Sequence, residues 1–599
     1  MVNSKFSPRK IKSLVIGDYD YKLLCTPQWP YCQKKKRAPP PWFSLHAVLP
    51  FLVAALMGLQ HALPMTGSII VPALLIGRLS NDTATTQYLI AASLIVGGIG
   101  TILHVAQFKI PLTNGRFYYG SGLISVMGVA FTFVPTSLQA MSDMLAEGMP
   151  FDVAYGKLLG TAAICTWVTV VLSFFSPRML NKLFPKPIIG VVMFLVGAVL
   201  LSSGFKQWGG GSDCGSSYQG LPAEPIPCQV PSGPNGTYVP GECYAKQVIP
   251  LCNTNGQVEL PYGSPEYIGL GCVLFLCVIF FEIFGSPFVR NASVFLSLMV
   301  AYLVAGTVTT GGLKYVTTAQ FNNSKNFQFL WLKTFPLGVY APAILPFFVA
   351  FLVKAAESVG DMTATEELSR VPIEGPEHNR RIQGGLLAVG IHSFFASMAT
   401  VLPNVIFVEN NGVLALTNCA SLYAGYFAGA WIILMGIIGK LSAFFAAIPD
   451  AALGSLATFI FASICVSGIK LMSIDPITRR VRIILTMSLA VGLGVTIVPQ
   501  WATANLWPIY PTTSTGMKTL RNSCLLVLRS GFSIGYLIAI VLHAILPDED
   551  DNAAVDLGGN RGKPQAEPRD DSAHNDLPVY KVDPADVAPS KAIAMAREV

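Results

Sequence analysis

Long apolar runs separated by short polar stretches recur along the chain from residue 47 to residue 546. A helix needs about 20 apolar residues to cross a bilayer, and on that window the chain has about fourteen candidate spans. The first is interrupted by Pro64, and the third and tenth are short and rich in Gly, Ser or Asn. The predicted spans are 47–77, 87–107, 118–133, 154–175, 187–204, 267–284, 292–310, 340–359, 384–401, 405–416, 423–441, 444–468, 483–499 and 531–546. This pattern predicts an all-α polytopic membrane protein.

The composition supports lipid as the solvent for this chain. Of its 599 residues, 52% are hydrophobic and 12% are charged, whereas about a quarter of the residues of a soluble protein are charged. The mean hydropathy is +0.53. The histidines and cysteines show neither zinc-ligand spacing nor a CxxC pair, and no nucleophile–base spacing is visible. The sequence therefore predicts that the protein is not an enzyme and has no metal or organic cofactor.

Basic residues indicate the orientation. The cluster at 34–37 is KKKR, and cytoplasmic loops of membrane proteins are enriched in Lys and Arg. This places the N-terminus in the cytoplasm, and an even number of spans places the C-terminus there too. The tail 547–599 is rich in Asp, Ala, Pro and Asn without periodicity, so it is expected to be disordered.

The loop 205–266 falls on the outer side by the same reasoning. It contains four cysteines, which in an oxidising compartment can form two disulfide bridges. Three pairings are possible, and the spacing does not choose among them. The cysteines are Cys214, Cys228, Cys243 and Cys252.

Two halves of seven spans would run antiparallel, because an odd number reverses the second half. Short, broken segments at matching positions of such halves indicate a central binding site. The third segment contains YYGSGLISVMG at 118–128, and the tenth contains FVENNGVLALTN at 407–418. We expect strand-like halves in both, because irregular backbone at this depth survives only inside protein or beside a wet cavity.

Acidic and amide side chains lie where such a cavity is expected. Glu357 is inside the eighth span, and a carboxylate within the membrane indicates a functional site. Lys354 is the alternative explanation, either as an ion-pair partner of Glu357 or as a side chain that extends towards the outer surface. Glu409, Asn410 and Asn411 offer donors and acceptors suited to a flat polar ring, unless they belong to a loop outside the membrane.

Further polar residues have two interpretations each. Gln60, His61 and His392 serve either as a proton path or as hydrogen-bonded packing residues. Asp361, Thr363 and Thr365 either have a functional role or cap the inner helix end. The ring of Phe131 either stacks on a planar ligand or packs in the core. The candidate residues are Gln60, His61, Phe131, Lys354, Glu357, Asp361, Thr363, Thr365, His392, Glu409, Asn410 and Asn411.

Three motifs give the chain a resemblance to a known family. They are ENNGVLALT at 409–417, ESVGDMTAT at 357–365 and the QH pair at 60–61, supported by IGDYDY at 16–21 and GLQHAL at 58–63. The chain resembles the nucleobase–ascorbate transporters, and among them the fungal uric acid–xanthine permeases, over nearly its whole length.

The resemblance implies fourteen segments in two inverted seven-segment repeats, a core and a gate domain, a homodimer and an elevator-type motion. It also implies import of a nucleobase across the plasma membrane with a proton, or alternatively sodium, and no nucleic-acid partner. The implied parts are 1–46, a cytoplasmic segment; 47–204, core helices and the first gate helix; 205–266, the outer loop; 267–310, gate; 340–441, core; 444–546, gate; and 547–599, the tail.

Residue by residue, the resemblance implies two sets of site residues. Those implied in contact with substrate are Glu357, Glu409, Asn410, Phe131 and Val408. Those implied as supporting or coupling are Gln60, His61, Asp361, Thr365, Asn411, Gly412, Thr417, Lys354 and His392.

The chain departs from the purine permease pattern at four positions. Glu409 stands where those proteins usually have Gln, and Asn418 stands where they have Arg. Val389 stands where they have Asp, and Lys354 stands where they have no Lys. Overall similarity favours an oxidised purine, uric acid or xanthine, whereas Glu409 matches bacterial uracil permeases. Ascorbate transport and a non-transporting sensor are further alternatives. Lys354 would neutralise Glu357 and favour an anion such as urate.

Overall fold

The computed structural model describes residues 15–16, 19–27, 41–111, 117–183, 185–211, 225–232, 237–244, 251–254, 258–310, 313–316, 321–322, 324–474, 476–498, 501–502, 506–508 and 513–547. This part of the chain is mostly helical. Its α-helices are Tyr21–Cys25, Phe51–Arg78, Thr83–Val105, Val134–Ala146, Phe151–Cys165, Trp167–Leu172, Pro177–Leu183, Lys186–Trp208, Pro265–Phe284, Pro287–Asn291, Ser293–Thr307, Ile344–Leu368, Pro376–Met398, Glu409–Thr417, Leu422–Ile437, Gly439–Ala446, Asp450–Met472, Arg479–Ile497, Thr515–Arg529 and Gly531–Ile545.

Eight helical stretches of the described chain are long and apolar enough to cross a membrane, or nine if the pair Thr515–Arg529 and Gly531–Ile545, bent by 88°, is one span. The other predicted spans correspond to shorter apolar helices, to Pro376–Met398 and to two segments that combine a strand with a helix. The described chain is therefore a multi-pass membrane protein with helices of unequal length.

Short antiparallel strand pairs complete the secondary structure. Within the described residues the pairs are Phe108–Lys109 with Tyr118–Tyr119, Met127–Val129 with Asn404–Ile406, Pro225–Ser232 with Thr237–Tyr244, Leu251–Thr254 with Val258–Pro261, and Thr309–Thr310 with Leu313–Lys314. One pair, Met127–Val129 with Asn404–Ile406, is buried among the helices. The other pairs lie in the connections between helices.

The first span differs from the prediction at Pro64. The helix Phe51–Arg78 is continuous through both Pro64 and Pro72, and most of its length is buried. Membrane helices tolerate proline because neighbouring helices and local adjustments satisfy the freed carbonyl groups. The expected interruption after Gln60 and His61 is therefore wrong, and both residues lie inside one helix.

Small residues allow the helices Lys186–Trp208 and Asp450–Met472 to approach closely. A Cβ atom on Gly197 would lie 2.6 Å from Cys465 Sγ, and one on Gly454 would lie 2.1 Å from the backbone nitrogen of Trp208. Helices packed in lipid gain association from such contacts, because apolar side chains have no preference for each other over lipid tails. This tight pair forms one wall of the site described below.

The loop 205–266 is described only in part. Cys252 is disulfide-bonded, and the hydroxyl of Tyr267 donates to its carbonyl oxygen at 2.9 Å. The predicted two bridges involve three further cysteines whose side chains lie outside the described part of the chain: Cys214, Cys228 and Cys243. The basic cluster at 34–37 and the tail from 548 onward lie outside them too.

Candidate substrate-binding site

The third and tenth segments meet in the middle of the protein. Asn404 pairs with Val129, Val405 with Gly128 and Ile406 with Met127. The pairing is extended at both ends by the Ala130 nitrogen, which donates to the Pro403 carbonyl, and by the Phe407 nitrogen, which donates to the Val126 carbonyl, each at 2.9 Å. The two non-helical stretches thus satisfy each other's backbone groups, as the low-dielectric surroundings require.

Each strand leads directly into a helix. Phe131 begins a short 3₁₀ turn, Phe131–Phe133, that continues into Val134–Ala146, and Glu409 begins the helix Glu409–Thr417, here named the Glu409 helix. The amino ends of both helical stretches therefore lie at the paired strands. The free N–H groups of helix amino ends favour negative charge and accepting groups.

A cavity lies at this junction. Glu357 enters it from the helix Ile344–Leu368, here named the Glu357 helix, and Glu409 enters it from the start of the Glu409 helix. The same wall contains Phe131, Thr132, Val353, Phe407 and Val408. The opposite wall is apolar and comes from the tight helix pair described above, with Val192, Met193, Val196 and Ile464.

The cavity is small in this conformation. Its volume is about 20 Å³, which holds one water molecule. The Thr132 hydroxyl lies 3.5 Å from Glu357 Oε2 and donates to it. A ligand larger than water enters only after the two walls separate.

Hydrogen bonds fix Asn410 and Asn411 behind the cavity. Asn410 Nδ2 donates to the Ile124 carbonyl at 3.0 Å, and its Oδ1 lies 2.6 Å from His61 Nδ1. The Thr365 hydroxyl donates to Asn411 Oδ1 at 2.7 Å. These contacts tie the Glu409 helix to the first span and to the Glu357 helix, which is a packing role for His61.

Gln60 and Asp361 lie near these groups with different surroundings. Gln60 Oε1 accepts a hydrogen bond from Asn291 Nδ2 at 2.9 Å. Asp361 is buried, and in the described part of the chain its Oδ2 has no hydrogen-bond partner. Of the two alternatives for Asp361, Thr363 and Thr365, helix-end capping is not observed, because the Glu357 helix continues to Leu368 and both threonine hydroxyls donate to carbonyls inside it.

Lys354 follows neither predicted alternative. It is 0% exposed, so it does not extend to the outer surface. Its Nζ donates to the Ser393 hydroxyl and, at 3.5 Å, to the Val389 carbonyl. Among the described residues no carboxylate lies within 4.0 Å of it, so the direct ion pair with Glu357 is absent.

Three other candidates lie away from the cavity wall. His392 is buried, with Nε2 3.4 Å from Asn404 Nδ2. Thr417 donates to the Val413 carbonyl of its own helix at 2.8 Å. Gly412 has open space where a Cβ atom would be.

Several wall residues were not singled out from the sequence. Thr132 and Phe407 adjoin predicted residues in the chain, so their position next to Phe131 and Val408 was the available signal. Val192, Met193, Val196 and Ile464 lie in uniformly apolar spans, and no local pattern distinguishes them.

Comparisons with known proteins agree with the motifs. A protein-family model described as "Permease family" matches residues 53–224 and 246–501 of this chain. The uric acid-xanthine permease of Emericella nidulans is 38% identical over 546 residues, which are 89% of this chain and 88% of that protein. The purine permease of the same fungus is 36% identical over 555 residues, 90% of each chain.

More distant proteins extend the comparison. The xanthine permease XanQ of Escherichia coli is 28% identical over 511 residues, 84% of this chain and 93% of that protein. Among solved structures, the transmembrane domain of a cyanobacterium bicarbonate transporter, BicA, matches at 11% identity with a TM-score of 0.45, covering 84% of this chain and 99% of that one. From the family model and the fungal relatives together, the chain belongs to the nucleobase–ascorbate transporter family of permeases.

Proposed function

We propose that this chain imports a nucleobase and that its substrate is an oxidised purine, xanthine or uric acid. The observation that supports this most is that two carboxylates from different helices, Glu357 and Glu409, face one cavity beside the ring of Phe131. An oxidised purine has several N–H donors on its edges and a flat face. Carboxylates accept from N–H groups, and an aromatic ring stacks on the face.

In the proposed roles, Glu357 and Glu409 hold the base and Phe131 stacks on it, with Val408 in contact. Asn410 supports the site through its bonds to His61 and Ile124. Gln60, Asp361, Thr365, Asn411, Gly412, Thr417 and His392 complete the supporting set proposed for coupling or positioning.

The proposed mechanism is an elevator-type movement of a core domain against a gate domain, in a homodimer with fourteen segments in two inverted repeats. The arrangement of the cavity supports it. One wall comes from the paired strands and their helices, and the other from Lys186–Trp208 and Asp450–Met472. Because the cavity holds only one water, movement of one wall along the other would open it to substrate.

The proposed coupling ion is the proton, and the proposed location is the plasma membrane with both termini in the cytoplasm. Buried acids at membrane depth support the proton, since such residues mark proton relays in transporters. Sodium is the alternative coupling ion, and the experiment below separates the two.

A second candidate substrate is uracil. The specific observation in its favour is that Glu409 is the first residue of the Glu409 helix and lines the cavity. By the resemblance, purine permeases usually have Gln at this position. An ionised carboxylate only accepts hydrogen bonds, whereas an amide also donates. The side chain at position 409 therefore affects which edge of the base can form hydrogen bonds in the cavity.

The test is uptake of labelled xanthine, uric acid, uracil and ascorbate by a cell that lacks its own carriers. The full-length chain is expected to accumulate xanthine or uric acid, and a proton ionophore is expected to abolish accumulation while replacement of sodium is not. Glu357→Gln is the matched variant, expected to reach the cell surface and to lose pH-dependent uptake. Failure to take up any nucleobase would contradict the proposal.

A further inference from the structure

The ammonium group of Lys354 is enclosed inside the membrane part of the protein. Its side chain is 0% exposed. The group donates to the Ser393 hydroxyl and the Val389 carbonyl, and it lies 4.8 Å from the centre of the Phe351 ring. No carboxylate among the described residues pairs with it directly, so its charge is balanced only by groups farther away.

Lys354 is nevertheless one helical turn from the cavity. Glu357, three residues later, lies on nearly the same face of the Glu357 helix and lines the cavity, as does the neighbouring Val353. On the other side, the Ser393 hydroxyl lies 3.0 Å from the carbonyl of Asn404, in the strand whose next residues, Val405 and Ile406, form the cavity wall. The amine is therefore just behind the substrate site.

A lysine in such a place is suited to changing its charge. Its amine is a compact base that gains or loses a proton readily when buried, and ionisable residues at membrane depth mark ion and proton pathways. We propose that Lys354 takes up a coupling proton as the base binds and gives it up as the base leaves. The proton comes from water on the uptake side and returns to water on the release side, and no other bond forms or breaks.

The linkage to substrate runs through Glu357. When Glu357 is ionised and accepts an N–H group of the base, its negative charge favours the ammonium form one turn away. By reciprocity, a protonated Lys354 favours the ionised Glu357 that the base needs. His392 interacts electrostatically with Lys354 itself, and Asp361 and Glu409 interact with Glu357, so these three groups bear on the same linkage.

This inference rests on the proposed coupled import, and its test measures stoichiometry rather than rate. The full-length chain is placed in proteoliposomes with the membrane potential held at zero, and labelled xanthine is allowed to reach equilibrium across a series of pH gradients. The logarithm of the accumulation ratio rises with the gradient by the number of protons carried per base. Exchange of labelled for unlabelled xanthine without a gradient measures transport apart from coupling.

Two substitutions fix the charge in opposite senses. Lys354→Met is always neutral, and Lys354→Arg is always charged because a guanidinium keeps its proton in proteins. Both are expected to lower the slope by roughly one proton. Because the slope is an equilibrium quantity, a change in the exchange rate of either variant does not alter it. Ser393→Ala is the matched control, since it removes the contact but keeps the amine, and its slope is expected to be unchanged.

The outcomes separate the ideas. An unchanged slope in Lys354→Met overturns the proposal. A normal slope in Lys354→Arg also overturns it, because a constant charge would then suffice. If the original chain moves no nucleobase at all, the proposed function itself fails. Calorimetry of xanthine binding in two buffers of different ionisation enthalpy checks the original chain without any variant: uptake of about one proton supports the proposal, and no proton uptake contradicts it.

Discussion

His61 Nδ1 lies 2.6 Å from Asn410 Oδ1, although the two residues are 349 positions apart in the chain. The Asn410 amide nitrogen donates to the Ile124 carbonyl at 3.0 Å, so its oxygen is the acceptor and the imidazole is the donor. One amide thus joins the first span, the third segment and the first turn of the Glu409 helix. The position of Glu409, one residue before Asn410, depends on this contact.

The His61 contact can be tested by removing its donor. His61→Ala leaves the Asn410 oxygen buried without a partner, which is expected to lower the free energy of unfolding by about 1–3 kcal/mol. Thermal unfolding of the purified protein in detergent measures the loss, and xanthine uptake should fall with it. His61→Gln retains a donor and should recover part of both. Equal melting temperatures for His61→Ala and the original chain would show that the contact is not stabilising.

Glu409 is expected to set the preference among bases. Glu409→Gln adds a hydrogen-bond donor to the cavity, and hydrogen bonds to a charged group contribute about 1.5–3 kcal/mol. The ratio of inhibition constants for uracil and xanthine should therefore change by about tenfold or more in favour of xanthine. Competition against labelled xanthine uptake measures it. Glu367→Gln, at an exposed position of the Glu357 helix, is the control and should leave the ratio unchanged. If Glu409→Gln also keeps the ratio of the original chain, Glu409 does not contact the base.

How much of the fold follows from sequence depends on the kind of helix. Uniformly apolar spans such as Thr83–Val105 and Asp450–Met472 are visible because they exceed the bilayer thickness. Val134–Ala146 and Thr515–Arg529 were missed, since both mix polar and apolar residues and fail a window average. Gly and Asn within apolar flanks did mark the segments that contain the buried strands.

The candidate site shows a similar division. Glu357 and Glu409 were predictable, because a carboxylate at membrane depth is costly and calls for a reason. The direction of the Lys354 side chain was not predictable. Its spacing of three residues from Glu357 allows an ion pair, but in the structure the side chain extends towards Ser393. The apolar wall from Val192 to Val196 depends on which helix packs there, and that is a tertiary property.

Gly128 is expected to be needed for the shape of the cavity. A Cβ atom there would lie 2.5 Å from Cζ of Phe407 and 2.7 Å from Cγ1 of Ile69, closer than real contacts allow, and such overpacking costs about 1–3 kcal/mol. Gly128→Ala should displace the Phe407 ring towards Phe131 and sharply reduce uptake. Gly494→Ala, in the helix Arg479–Ile497, is the matched control, because nothing lies within 4 Å of its added atom, and it should transport normally. Normal uptake by Gly128→Ala would mean that the strand pair can shift to make room.

Phe131 is expected to contribute stacking rather than packing alone. Its ring is 5.5 Å from that of Phe461 and 6.2 Å from that of Phe407, and stacking of a base on an aromatic ring contributes about 1–3 kcal/mol. Phe131→Ala should weaken xanthine binding by about tenfold or more, measured as the dissociation constant of the purified protein. Phe131→Leu restores apolar volume without a π face, so it should recover the melting temperature but not the affinity. Recovery of both by Leu would show that Phe131 only fills space, and the proposed base would then lose its aromatic contact on this wall.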